Sequence, residues 1–228
     1  MGKKIGIAVV GLLVVVLGAI AMQPDTYRVE RSADIAAPAD VVFEMTADLK
    51  NFDKWSPWNE LDATMKKTYG DKTSGVGATY EWSGNSEVGK GRMTVTEVRA
   101  PTTLRIKLDF LEPMAGEAMS GWDFTSGGDS KTTARWWVEG KNDFMGKAFG
   151  LFMDMDAMLG GTYEKGLKKL GEVAKTETAA RAKAKADAEA KAKAEAEAKA
   201  KLAAEALAVA GGAADGAAAP AVPGKVAE

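Results

Sequence analysis

The sequence predicts an α+β domain: one strand, two short helices, about six further strands joined by tight turns, and then one long helix. Three observations predict it. Apolar and polar residues alternate with period two from Tyr27 to Ile35 and again from Leu104 to Phe110, as in half-buried strands. Glycine-centred turn signals separate the strand candidates at short intervals, which makes neighbouring strands antiparallel. From Phe144 to about Lys175 the apolar period switches to 3.6, with Met145, Phe149, Phe152, Met155, Leu159, Tyr163, Leu167, Leu170 and Ala174 at three- and four-residue steps. All 7 Phe, 6 Trp and 4 Tyr lie between Tyr27 and Tyr163, so in a chain of 228 residues the middle alone can bury a sizeable core.

The chain opens with an apolar stretch. Residues 5–22 carry no charge, follow Lys3 and Lys4, and cover roughly 27 Å as a helix, enough to cross a hydrocarbon core. An uncleaved signal-anchor over 1–24 fits the full length of this run. A cleaved secretory signal is the alternative, with Ala19-Ile20-Ala21 as its small-residue site. In either case Lys3 and Lys4 stay on the cytoplasmic side and the remainder is exported, placing a single-pass protein in the inner membrane with its domain on the periplasmic side, or secreting it after cleavage.

The first strand places Tyr27, Val29, Ala33 and Ile35 on one face, with Arg31 the exception among them. Pro38 suits the first position of a short helix anchored by Val41, Val42 and Met45, and Asn51 is positioned to cap a second helix that Pro57 stops. The strands then expected are 64–69, 78–83, 91–99, 103–110, 117–125 and 131–139. The helix from Phe144 to Lys175 is expected to be continuous, weakened by Gly160, Gly161 and Gly166 through close helix–sheet approach or a kink. Together, 25–175 form the folded domain.

Beyond it, 176–209 read as a charged Ala/Lys/Glu helix. Pairs such as Lys185–Glu189 and Lys191–Glu195 have opposite charges at i,i+4, and no apolar stripe accompanies them. The stretch resembles in composition the Ala/Lys/Glu spacer of the Tol system's periplasm-crossing anchor, which makes an envelope protein a candidate partner. The Gly/Ala/Pro tail 210–228 is expected to be disordered.

Composition excludes much chemistry. With no His and no Cys there are no disulfides, no imidazole or thiolate metal ligands and no Cys or His-based nucleophile. A net charge of −2 from 30 basic and 32 acidic residues gives no field for nucleic acid. No metal or cofactor is expected. Glu81, Asp109 and Asp123 alternate away from the apolar faces of their strands. Asp154 and Asp156, at i,i+2 on one helix, point too far apart to share a metal, and Gly75-x-Gly77 and Gly89-x-Gly91 read as hairpin turns rather than phosphate loops. No residue is assigned a catalytic role. Arg31 is the one polar candidate for a ligand head group, with a salt bridge at the sheet edge as the alternative.

Several stretches carry a family resemblance. They are Tyr27–Ser32, Ile35-Ala36-Ala37-Pro38-Ala39-Asp40-Val41-Val42-Phe43, Lys54-Trp55-Ser56-Pro57-Trp58, Gly75-Val76-Gly77-Ala78, Gly89-Lys90-Gly91-Arg92-Met93 and Gly150–Asp156. Residues 27–175 resemble the helix-grip fold of START and birch-pollen-allergen-like proteins, in the polyketide cyclase-like branch of the SRPBCC superfamily. The resemblance implies a curved antiparallel sheet of about seven strands wrapped around the long C-terminal helix, with an apolar cavity between them. Such a cavity is the usual setting for a small hydrophobic or lipid-like ligand. Its candidate wall residues are Trp55, Trp58, Tyr80, Trp82, Leu108, Phe110, Met119, Trp122, Trp136, Phe149 and Met153. Three functions follow as expectations: an envelope-anchored binder of a hydrophobic molecule; a cyclase, dehydratase or hydrolase, as the family label suggests; or a scaffold whose domain is packed solid.

Overall fold

The computed structural model describes residues 2–212, with side chains described from 4 to 206. The predicted tail 210–228 therefore lies almost entirely outside the described residues. The chain divides into two units, Met1–Thr178 and Ala179–Glu228. In the first, helix α1 (Gly2–Ala21) precedes strand β1 (Thr26–Ile35), helices α2 (Ala39–Ala47) and α3 (Leu49–Phe52), and a 3-10 turn at Pro57–Glu60. Strands β2 (Lys66–Tyr69), β3 (Thr79–Ser83), β4 (Lys90–Arg99), β5 (Thr103–Glu112), β6 (Gly116–Ser126) and β7 (Thr132–Lys141) follow. Helices α4 (Phe144–Gly150) and α5 (Met155–Gly212) complete the described chain.

The strands form one curved antiparallel sheet in the order β1-β7-β6-β5-β4-β3-β2, so the chain's first strand returns to pair with its last. Register follows the period-two pattern. Leu104, Ile106 and Leu108 of β5 are buried opposite Trp122, Ser120 and Ala118 of β6, and all six face the concave side. A one-residue slip would turn every one of these side chains to water, and that penalty fixes the pairing.

Helices α2 and α3 close one end of the sheet. Val41, Val42, Met45, Leu49 and Phe52 are buried, and Thr132 Oγ1 of β7 donates to the Ala37 carbonyl at 2.8 Å to pin the segment that enters α2. The expected cap is corrected here. Asp48, not Asn51, caps α3 by accepting from Lys50 N at 2.9 Å, while Asn51 Nδ2 donates back to the Glu44 carbonyl at 3.2 Å.

The expected single helix from Phe144 to Lys175 is two. Asp143 caps α4 by accepting from Gly146 N at 2.7 Å, and Asp154 caps α5 by accepting from Asp156 N at 2.8 Å. An acidic side chain that satisfies free N–H groups and meets the positive end of the helix dipole starts a new helix where the apolar spacing alone suggests continuation. Within α5, Tyr163, Leu167, Leu170 and Ala174 are buried in the core. Gly160 and Gly166 serve close approach rather than a kink, while Gly161 faces open space. A Cβ at Gly160 would lie 1.9 Å from Arg31 Nη2, and one at Gly166 would lie 2.8 Å from the Trp136 ring.

In the second unit the described residues are helical to Gly212, and the side chains from Ala182 to 206 are exposed. Two of the expected i,i+4 pairs come within reach there, Lys185–Glu189 at 4.0 Å and Lys191–Glu195 at 3.9 Å.

Candidate functional site

Between the concave face, α2–α3 and the first turns of α5 lies a cavity of about 410 Å³. A water's share of liquid volume is about 30 Å³, so this space exceeds a packing defect by more than tenfold. It is not filled by the protein's own side chains, which contradicts the expectation of a domain packed solid. Its size falls within the range of small-molecule sites, roughly 300–1,000 Å³.

Seven of the predicted wall residues line it: Trp58, Tyr80, Trp82, Leu108, Phe110, Trp122 and Trp136. The aromatic set stands as a connected stack. Trp136 lies nearly parallel to Tyr163 at 3.9 Å and to Trp122 at 4.7 Å, and Trp58 meets Trp136 edge-on at 5.6 Å. Offset-stacked and edge-to-face pairs of this kind each add about 0.5–1.5 kcal/mol beyond burial. They also make a rigid wall.

The other four predicted residues do not line it. Trp55 lies behind the wall, fully buried, with its Nε1 donating to the Met45 carbonyl at 2.8 Å and its ring edge-on to Trp122 and Trp136. Met119 points to the convex face, because its neighbours Ala118 and Ser120 occupy the concave one and strand side chains alternate. Phe149 and Met153 are exposed on α4 and the link to α5, which the helix break turns away from the cavity.

Residues outside the predicted wall also line the cavity, Tyr27, Ser56, Met65, Met93, Ser120, Met155, Leu159 and Tyr163 among them. Met155, Leu159 and Tyr163 are on the recognised helical stripe, so their signal was present. Ser120 shares strand parity with Trp122, and that parity was the signal for it.

The polar atoms inside are few. Trp136 Nε1 donates to Ser120 Oγ at 3.2 Å, and Ser120 Oγ donates to the Trp137 carbonyl at 3.0 Å. Tyr163 shares this cluster through Ser120, and burial pushes its phenol well above the ordinary tyrosine range. Burial raises Tyr80 in the same way. Both are neutral hydroxyls at physiological pH. Ser56, 3% exposed, is the one buried side-chain polar atom among the described residues without a hydrogen-bond partner. Since buried polar groups are ordinarily partnered, this hydroxyl is free for a ligand or water. The lining carboxylates, Glu87 and Glu112, are exposed and sit with Pro113 and Met158 at the mouth, where Glu112 pairs with Lys90 at 2.7 Å.

The three strand carboxylates weighed from sequence all lie in ion pairs on the convex side: Glu81 with Arg92, Asp109 with Lys107, and Asp123 with Arg105. Arg31 is a clamp rather than a head-group ligand. It donates to Asp156 at 2.7 and 2.9 Å and to Glu164 at 2.9 Å, tying β1 to α5. Asp156 in turn is held below the usual carboxylate range by Arg31.

These features define a class: an α+β helix-grip domain with an apolar, aromatic-walled cavity between sheet and helix. Residues 26–175 match the family described as polyketide cyclase / dehydrase and lipid transport. The chain belongs to this family, within the SRPBCC superfamily. No curated protein matches it. Solved structures similar to it include a ginseng (Panax ginseng) major latex-like protein, 11% identical with a TM-score of 0.47 over 65% of this chain and 97% of that one. They also include the Zhui aromatase/cyclase of Streptomyces sp. R1128, 16% identical with a TM-score of 0.47 over 66% and 94%. A third is a hypothetical protein of Helicobacter pylori, 13% identical with a TM-score of 0.49 over 65% and 88%.

Proposed function

We propose that the protein is a membrane-anchored envelope component that binds a hydrophobic or lipid-like small molecule in the cavity between sheet and α5. The observation that carries this reading is the cavity itself: about 410 Å³, walled by four tryptophans and a set of aliphatic and methionine side chains, with no carboxylate inside its mouth. Apolar ligands gain roughly 25 cal/mol per Å² of area taken from water, and such a wall offers that gain with few polar groups to desolvate. The free Ser56 hydroxyl meets one hydrogen-bonding group of the ligand.

Anchoring is supported by Lys4–Ala21, a helix long and apolar enough to cross a membrane. Lys3 and Lys4 at its start favour export of the following domain. The Ala/Lys/Glu stretch serves as a spacer toward an envelope protein partner.

Titrating residues 25–175 with an apolar fluorophore tests the reading. Saturable binding with a change in Trp emission is expected, since Trp58, Trp82, Trp122 and Trp136 all face the space. Leu108→Trp, which fills the cavity from β5, is expected to weaken binding about tenfold or more while the domain still folds. Absence of saturable binding in the unsubstituted domain contradicts the proposal.

A further inference from the structure

We infer that the mouth of the cavity is a bilayer-docking face, formed by α4, the α4–α5 link and the β5–β6 hairpin, which opens the cavity toward hydrocarbon rather than water. The inference rests on the reading of α1 as a membrane anchor and adds to it where the domain sits.

Large exposed apolar side chains are not scattered over the domain. C-terminal to Met22, 11 are exposed among the described residues, and 8 of them fall in two segments, 111–114 and 144–158. Phe152 is the extreme case at 87% exposure. The two segments are far apart in sequence but lie toward one end of the sheet: Gly116 and Glu117 at the end of the hairpin line one cleft with Asn142 and Asp143, which lead into α4, and Pro113 and Met158 both line the cavity. Leu111 and Met114 flank the first, and Phe152 and Met153 precede the second. Exposed apolar side chains concentrated in this way mark an interaction surface.

The chain itself says what covers the rim. α1 packs against α4, and Ile20, in its last turn, is buried at 7% exposure while most of the helix is bare. Four residues, Met22–Asp25, separate α1 from β1, and their extended reach is at most about 14 Å. Even that slack is taken up. Asn142 Nδ2 donates to the Pro24 carbonyl at 3.0 Å, Asn142 N donates to the Asp25 carbonyl at 2.8 Å, and Lys147 of α4 pairs with Asp25. An anchor fixed this closely to α4 brings α4 to the membrane interface whenever it spans the bilayer. Aromatic and methionine side chains there sit in the acyl boundary, as on interfacial helices. A ligand then moves between bilayer and cavity without crossing water.

The chain has no cysteine, so single-cysteine labelling reads the geometry directly. Full-length Val10→Cys, Met114→Cys, Phe152→Cys and Ser130→Cys proteins would carry an environment-sensitive fluorophore in nanodiscs of phosphatidylethanolamine and phosphatidylglycerol, with and without brominated acyl chains. Positions 114 and 152 are exposed, on separate segments, so labelling either leaves the core intact. Expected are a blue shift and loss of fluorescence to brominated lipid at 10, 114 and 152, with none at 130 on the β6–β7 turn. Quenching at 10 but not at 114 and 152 overturns the docking face and leaves the anchor standing. No quenching at 10 overturns both. Unquenched labels at 152, together with a disulfide linking two unlabelled copies of the Phe152→Cys protein, would show a second chain covering the rim and likewise overturn the inference.

Discussion

Trp136 and Trp137 are neighbours on β7 and are both buried, at 3% and 7% exposure, yet by opposite means. Trp136 faces the concave side and is covered by other rings and by α5. Trp137 faces the convex side. It is covered by the guanidiniums of Arg28 and Arg105, 4.4 and 5.1 Å from its ring, and its Nε1 donates to Asp123 at 3.0 Å. One face of the sheet is thus organised by aromatic stacking around a void, the other by a lattice of ion pairs and cation–π contacts. The void makes the concave face the one the proposed function uses. The convex lattice covers that face with charge, since its long charged side chains lay their stems over apolar surface.

Removing each tryptophan separates the two modes. Trp136→Ala removes the hub of the stack and is expected to cost about 3–5 kcal/mol in denaturant unfolding and to abolish ligand binding. Trp137→Ala is expected to cost less, about 1–3 kcal/mol, because its cation–π contacts are worth about 0.5–1 kcal/mol each, and to leave binding intact. Equal losses of binding in both variants would break the comparison. The helix that covers the concave face offers a finer pair. Gly160→Ala drives a Cβ into Arg31 and is expected to destabilise by about 1–2 kcal/mol. Its neighbour Gly161, with open space beyond it, gains up to about 1 kcal/mol from the same change.

The smallest effect is on acid stability. Arg31 lowers Asp156 from its ordinary 3.8, so the folded form holds this carboxylate charged more readily than the unfolded chain does. That contribution is present above about pH 4 and is lost as pH falls through the folded value. Burial opposes the charge of Asp123, but hydrogen bonds from Arg105 and Trp137 outweigh it, and its contribution fades in the same window. Asp156→Asn is expected to flatten the decline of unfolding free energy below pH 4. An unchanged slope would show that the clamp carries no linked proton.

The strands were legible because burial on one face enforces period two, and the run from Leu104 to Phe110 has no reason to alternate otherwise. Met119 differs in parity from Trp122, so the same rule turns it to the convex face in spite of its apolar character. The break between α4 and α5 was hidden because Phe149, Phe152 and Met155 keep helical spacing across it, whereas Asp154, read as half of a carboxylate pair, is the cap that announces it. The same apparent continuity is what points Phe149 and Met153 toward the cavity in the sequence. The free hydroxyl of Ser56 has no sequence signature, since its lack of a partner is a property of the assembled fold.

The central claim is that the space between sheet and helix is occupied by an apolar molecule when the protein is at work. Native mass spectrometry of the full-length chain, purified from its native cells, tests this most directly. The account predicts a discrete adduct of one small hydrophobic molecule per chain, missing from Leu108→Trp. A bare chain, or an adduct that Leu108→Trp retains, would contradict it.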